Sequence, residues 1–344
     1  MITVDVSFRS RMHGLLKSCA RVSPHLVVRR LRRRSAKVSS SPGSATVEAA
    51  CGSRSIPRLT ATRRPHLAFS QGGAASACRG GTLGRVSDPP VGAVPLDIAL
   101  STRQGDRDYQ QDAAVWRWDA FGCLATAVCD GMGSLPGSGT IARVAAGYSL
   151  AMAAWGFTAD KARSPVAILK AASELTRAHP ETADGDTTAV LAWIDPVAGT
   201  VEGAWVGDSR LYVYGDDSRL HLQTKDHNLA AQGAPTVLTR SLLAPEFHDC
   251  AKEPCTEHQP EGLSWAPTTV RPWRVVMTTD GVHDVVTGAE MDEQLAGAPD
   301  AGHAARRLTA FALRKAARLA AADRRPRNAD NTTALVIDWP LHMA

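Results

Sequence analysis

Long apolar runs are missing from this sequence, because every hydrophobic stretch is soon cut by a charge, a glycine or a proline. Nothing approaches the ~18–20 consecutive apolar residues of a membrane-spanning helix, so no membrane span is expected. Ordered cysteines are missing too. The seven present are an odd number without framework spacing, and three of them (Cys19, Cys51, Cys78) fall near the N-terminus. That usage fits a reducing compartment, and hence a cytoplasmic location, better than a disulfide scaffold. No clean apolar core between Met1 and Leu31 leads to a small-residue cleavage site, which argues against a secretory signal.

Acidic residues are nearly absent from the first 95 positions. Asp5, Glu48 and Asp88 stand there against 16 Lys and Arg, a net +13. The other 249 residues carry 23 basic and 31 acidic side chains, a net −8. A basic leader therefore precedes an acidic body long enough for one sizeable core. The leader mixes the arginine run Arg29, Arg30, Arg32, Arg33 and Arg34 with Ser, Gly and Pro, and has little apolar periodicity beyond Leu15–Leu31. It is expected to be disordered, because it cannot bury enough apolar surface to offset its ordering entropy. An organellar transit peptide, a non-specific contact with acidic lipid or nucleic acid, and an upstream extension with no role of its own all fit. Specific nucleic-acid binding is not expected, since the body is acidic.

From residue 96 the texture becomes that of a folded domain, with expected bounds of 96–340. Short apolar or alternating runs at Leu96–Ser101, Ala113–Trp118 and Cys123–Cys129 read as strands. Two alanine-rich helical segments follow, Ser138–Trp155 and Pro165–Ala178. Thr187–Ile194, Thr200–Trp205, Arg210–Tyr214 and Leu220–Gln223 are again strand-like, with turns at Asp195-Pro196 and Gly215-Asp216-Asp217. Arg274–Thr279 is a further strand, Ala304–Ala322 a helix, and Thr332–Trp339 a last strand. Strands, helices, strands, helix, strand is not the alternation of a doubly wound sheet. It suggests an α+β fold of two sheets sandwiched by helices.

Aspartates mark the strand ends. Asp130-Gly131 closes LATAVC, Asp280-Gly281 closes RVVMTT, Asp330-Asn331 opens TTALVIDW, and Asp208 follows Gly207 in VGDSR. A single Asp-Gly is usually a turn. Several carboxylates converging at one sandwich edge, without Cys or His, favour Mg²⁺ or Mn²⁺, which prefer oxygen ligands and retain waters. The glycine permits close backbone approach, so the Gly131 carbonyl is itself a candidate ligand.

In this order the segments resemble the PPM family, the metal-dependent type 2C serine/threonine phosphatases, in its bacterial form. GDRDYQQDA (105–113) is similar to the opening Gly-x-Arg-x-x-Asn-Glu-Asp, TAVCDGMGS (126–134) to Asp-Gly-Met-Gly-Gly, and GDTTAV (185–190) to Gly-Thr-Thr. VGDSR (206–210), TKDHN (224–228), LTRSL (238–242), TTDGVHD (278–284) and ADNTT (329–333) follow in family order. The resemblance implies a four-layer αββα sandwich, two mainly antiparallel sheets flanked by helices. It implies two divalent cations, with a third near Asp184 or Asp208 left open. Asp130 would bridge them, the Gly131 carbonyl would bind one, and Asp280 and Asp330 would hold the other. Asp112 would orient the attacking water, which bridges the cations, and Arg107 would receive the substrate phosphate. The substrates implied are proteins phosphorylated on serine or threonine, the products of serine/threonine kinases. No phosphoenzyme is needed, so the lack of a catalytic cysteine loop or an evident Ser–His pair is no objection.

The sequence departs from the family in three places. Gln110-Gln111 stands where the family has Asn-Glu, removing one acid near the metals. Only residues 228–237 separate Asp226-His227 from Leu238-Thr239-Arg240, where a longer flap is usual. Ala244–Arg271 is longer than the usual link and holds His248, Cys250, Cys255 and His258, a spacing that suggests zinc only loosely. The first two departures leave a second function open, a phosphatase-fold regulatory protein with weak or no catalysis. The basic helix around Arg306, Arg307, Arg314, Lys315 and Arg318 reads as an amphipathic outer helix, its apolar stripe being Leu308, Phe311, Leu313 and Leu319.

Overall fold

The computed structural model describes residues 88–156, 164–181, 184–243, 260–267, 270, 272–323 and 329–340. The expectations for residues 1–87, and for zinc at His248, Cys250, Cys255 and His258, lie outside the described residues. In chain order come β1 (Asp97–Arg103), β2 (Ala113–Trp118) and β3 (Leu124–Cys129), then helices α1 (Ser138–Gly156) and α2 (Pro165–Arg177). Strands β4 (Ala189–Asp195), β5 (Thr200–Val206), β6 (Arg210–Gly215) and β7 (Leu220–Gln223) follow. After them come the hairpin of β8 (Asn228–Leu229) and β9 (Ala234–Leu238), then β10 (Glu261–Trp265) and β11 (Pro272–Thr278). The short helix α3 (Asp280–His283), then α4 (Gly288–Ala296), α5 (Ala301–Asp323) and β12 (Thr332–Asp338) complete the order.

One sheet runs β1-β12-β11-β6-β7 and the other β10-β5-β4-β3-β2, each with antiparallel neighbours. Strand side chains alternate between faces, and both faces of each sheet are covered. In β3 and β4, Leu124, Val128, Val190 and Ile194 point into a core shared with Val275, Met277, Leu335 and Ile337 of the facing sheet. The alternate residues Ala125, Ala127, Cys129, Leu191 and Trp193 pack against Ala142, Ala145, Leu150, Ile168 and Leu169 of α1 and α2. On the far side Val276, Ala334 and Val336 meet Met291, Leu295, Ala304 and Leu308 of α4 and α5. The four-layer αββα sandwich follows from this double burial, which also explains why the strands read as nearly continuous apolar runs.

Three elements differ from the sequence reading. Glu261–Trp265, placed in a polar insertion, is an edge strand paired with β5. Its residues alternate only between half-buried and exposed, so the apolar signal is weak. Helix α4 begins with a capping box, the Thr287 side chain accepting from Glu290 N and the Glu290 side chain from Thr287 N. That Thr-x-x-Glu spacing is visible in the sequence. The buried stripe of α5 is Ala301, Ala304, Ala305, Leu308 and Ala312, with Leu313 and Leu319 only half-buried. Small side chains let the helix lie close to the sheet, which a search for large apolar residues overlooks. No helix among the described residues is long and apolar enough to cross a membrane.

Among the described residues the largest fully buried side chain is a charged one. Arg274 on β11 donates from Nε and Nη2 to the two Asp338 carboxylate oxygens on β12, at 2.6 and 2.7 Å. Its Nη1 donates to the Leu295 carbonyl at 2.6 Å, Nη2 also reaches the Ala298 carbonyl, and the guanidinium lies 4.3 Å from the Trp273 ring centroid. The arginine thus caps the last carbonyls of α4 and ties that helix to the sheet. Arg274→Met should leave Asp338 buried without a counter-charge and cost about 3–5 kcal/mol of stability. Urea unfolding checks this, and an unchanged midpoint would show that the pair does not bind α4 to the sheet.

Candidate metal centre

The two sheets meet at one edge in a set of short backbone segments, and these segments carry the acids. Asp112 immediately precedes β2 and is 2% exposed. Its Oδ2 accepts from Thr279 Oγ1 at 3.0 Å and Thr333 Oγ1 at 2.6 Å, so hydroxyls of the other sheet fix a carboxylate of this one. Its Oδ1 is buried with no protein partner. Asp130 ends β3, where its amide donates to Thr188 Oγ1 and its carbonyl accepts from Thr188 N and Thr187 Oγ1. Gly131 and Thr187 form an isolated antiparallel bridge whose two bonds are Met132 N to Asp186 O and Thr188 N to Asp130 O. In such a pair the residues' own carbonyls point away from the partner. The Gly131 carbonyl therefore lies outside the bridge, as a ligand must.

Asp280 opens α3, and Gly281 lets that turn touch the start of β12, because a Cβ there would overlap the Asn331 carbonyl. Asp330 precedes β12 and accepts from Arg107 Nη2 at 2.5 Å. Arg107 lies against Gly133, where a Cβ would fall 2.5 Å from Nη1, and its Nε is buried without a partner. The structure thus brings together all six expected residues: Arg107, Asp112, Asp130, Gly131, Asp280 and Asp330.

Crowded carboxylates hold their protons. Burial pushes the Asp130 carboxyl well above the usual carboxylate range, and the nearby charges of Asp280 and Asp112 add to the shift. Asp280 is raised to about 6 by burial and the charge of Asp330, while a hydrogen bond with Asp130 acts in the opposite sense. Burial and mutual repulsion thus both favour protonation of this pair. Asp112 is raised to about 7, again first by burial. Asp208, between β5 and β6, reaches about 8 through burial and the charges of Asp280, Asp226 and Asp284. The Arg107 guanidinium feels Asp330, Asp280 and Asp130 together and stands in as their counter-charge.

A hard divalent cation fits this arrangement: the donors are all oxygens, one buried carboxylate oxygen lacks a partner, and the buried carboxyls are raised partly by one another's charge, which a cation would offset. Among the described residues no group of three or more His, Cys, Asp or Glu side chains is arranged to hold one ion. Each ion would then take one or two carboxylates, with the Gly131 carbonyl and water completing its shell, as Mg²⁺ commonly does. Of the two candidates near a third ion, Asp208 lies in the electrostatic field of Asp280. Asp184 is exposed on a loop where its carbonyl accepts from Gly137 N.

Two residues matter more than the sequence suggested. Asn331 accepts from Gln111 N at 2.8 Å and donates to the Gln104 and Tyr109 carbonyls, stitching the loop that carries Arg107 and Asp112 onto β12. Its place beside Asp330 was visible, but its role depends on a contact more than 200 residues away. Asp186 accepts from Thr187 N, Leu243 N and Ser241 Oγ, anchoring the return of the flap to the strand beside Asp130. Gln111 donates from Nε2 to the Leu135 carbonyl at 3.3 Å, bracing the loop after Gly133. The short flap is the β8–β9 hairpin. At its base His227 stacks on Trp205 with centroids 5.8 Å apart, and Arg240 pairs with Glu261 at 2.9 Å.

A family model described as Protein phosphatase 2C matches residues 102–321. No curated protein matches the chain. Among solved structures, a bacterial serine phosphatase is similar at 18% identity and a TM-score of 0.55, over 72% of this chain and 98% of that one. A C. elegans sex determining protein is similar at 19% identity and a TM-score of 0.55, over 72% of this chain and 65% of that one. The Mycobacterium tuberculosis serine/threonine phosphatase PstP/Ppp is 21% identical with a TM-score of 0.50, over 71% of this chain and 98% of that one. At these identities the likeness is one of fold.

The raised carboxyls set a pH signature. They bind protons more tightly folded than unfolded, so without divalent cations stability should fall as the pH rises from about 4 to about 8. Cations must displace those protons, so Mn²⁺ affinity should rise over the same window. Melting curves in EDTA and in Mn²⁺ at several pH values test both trends, and a pH-independent melting temperature in EDTA would contradict the clustering.

Proposed function

The chain belongs to the protein phosphatase 2C family, and from that premise we propose that it hydrolyses phosphoserine and phosphothreonine in proteins, using Mg²⁺ or Mn²⁺. The observation that carries this is the convergence of Asp112, Asp130, Asp280 and Asp330 at one sandwich edge, with Arg107 paired to Asp330. Asp130, the Gly131 carbonyl, Asp280 and Asp330 would hold two cations. When bound, these lower the pKa of water and draw in phosphate oxygens for in-line attack.

The chain's own residues supply the rest. Arg107 offers a planar fork to the phosphate dianion, with Nε free of protein partners. Asp112, its Oδ2 held by two threonines, presents Oδ1 to accept a hydrogen bond from the attacking water. The oxygen of that water ends on phosphorus and the ester P–O bond breaks; of the water's two protons, one ends on the departing serine or threonine oxygen and the other on the phosphate. Met132 follows Asp-Gly, so the chain offers no histidine there as the proton donor. We assign residues 96–340 as the phosphatase domain, and kinase-modified proteins as its substrates.

The protein should hydrolyse a small aryl phosphate and a phosphothreonine peptide only with added Mn²⁺ or Mg²⁺, and EDTA should abolish turnover. Asp130→Asn and Asp280→Asn each remove a negative charge and an oxygen ligand. Turnover should fall at least ~10²-fold, on the order of 3 kcal/mol in the barrier. Asp195→Asn, at the end of β4, should change little. Near-wild-type rates for Asp280→Asn at saturating Mn²⁺ would sink the two-cation assignment and favour a regulatory protein on a phosphatase fold. A chain beginning at Val91 should keep its fold and activity, and loss of either would give residues 1–90 a role in the domain.

A further inference from the structure

Large apolar side chains exposed among the described residues are few, and their placement is uneven. Val91 precedes β1, Phe121 and Val197 sit on the β2–β3 and β4–β5 turns, Leu220 is on β7, and Val237 on β9. Tyr109 and Leu135, 47% and 36% exposed, belong to the two loops that meet at the phosphate-receiving arginine. Tyr109 is two residues beyond Arg107. Leu135 is two beyond Gly133, the residue packed on the Arg107 guanidinium.

Their backbones are fixed. Asn331 Nδ2 donates to the Tyr109 carbonyl at 3.2 Å, and Asn331 Oδ1 accepts from Gln111 N at 2.8 Å. Gln111 Nε2 then reaches the Leu135 carbonyl, whose own amide donates to Met132 O at 3.0 Å. One chain of hydrogen bonds therefore joins both exposed residues to the strand ends that carry the acids. Exposed apolar side chains on a backbone fixed beside a charged site cost less backbone ordering when a ligand covers them.

Resting on the phosphatase reading, we infer that Tyr109 and Leu135 form an apolar rim of the phosphate site that selects substrates with aliphatic or aromatic residues flanking the phosphoserine or phosphothreonine. The phosphate goes to Arg107 and the cations, while the neighbouring apolar side chain covers Tyr109 and Leu135. An acidic flanking residue gains nothing there, because it would give up hydration for an apolar contact.

The test uses two phosphothreonine peptides, one with leucine and one with glycine on both sides of the phosphoresidue. Relative affinity is read by fluorescence anisotropy in Mn²⁺, and kcat/KM where turnover occurs. The wild type should prefer the leucine peptide by about tenfold. Tyr109→Ser with Leu135→Ser should bring that ratio near one, whereas Tyr109→Phe with Leu135→Met should retain it. Equal binding of both peptides by the wild type, or a preference that survives the double serine variant, overturns the inference. Hydrolysis of the small aryl phosphate is measured alongside: its absence overturns the phosphatase reading instead, and anisotropy still reads the peptide preference.

Discussion

Several carboxylates share one small volume at the edge of this sandwich, and their mutual repulsion governs how the surrounding structure is built. Like charges a few ångströms apart resist ionising together, and burial makes this worse. The protein holds them there by attaching each to a different rigid element. Asp130 is fixed by the Gly131–Thr187 bridge, Asp112 by Thr279 and Thr333, Asp280 by the first turn of α3, and Asp330 by its place ahead of β12. No loop need bear the repulsion alone, because the stability comes from the apolar layers beneath.

The same constraint explains the glycines and threonines at the edge. Backbone segments from both sheets must approach closely if their carboxylates are to share ions, so Gly281 is pressed on Asn331 and Gly133 on Arg107. Thr187, Thr188, Thr279 and Thr333 each lend a hydroxyl to a neighbouring segment. Asn331 and Asp186 extend these ties to the arginine loop and to the base of the flap. A change in one tie is therefore felt by several site residues at once, and their substitutions should not be additive.

Much of this was legible in the residues. The strands buried on both faces, such as LATAVC and TTALVID, announce themselves as apolar runs, and their terminal aspartates mark the edge. Less legible were elements whose burial is partial or whose partners are distant. Strand β10 has only half-buried inward residues, and α5 packs through alanines rather than the leucines that catch the eye. Asn331 and Asp186 look like ordinary loop residues, because the side-chain ties that matter reach partners as far as 57 and 227 positions away in sequence. The pairing of Arg107 with Asp330 is of the same kind: each residue was readable as part of the site, but their contact depends on the packed fold.

Two buried carboxylate settings in one molecule show what separates a structural charge from a chemical one. Asp338 is met by Arg274 with two parallel hydrogen bonds, and that arginine spends its remaining donors on the end of α4. Nothing is left over for a ligand. At the sandwich edge the balance is incomplete: Asp112 Oδ1 and Arg107 Nε lack protein partners, and burial beside Asp280 pushes the Asp130 carboxyl well above its usual range. Folding energy alone would favour replacing such a cluster with apolar residues. Its presence where strand ends from both sheets converge makes sense if ions and a phosphate complete the charge balance there.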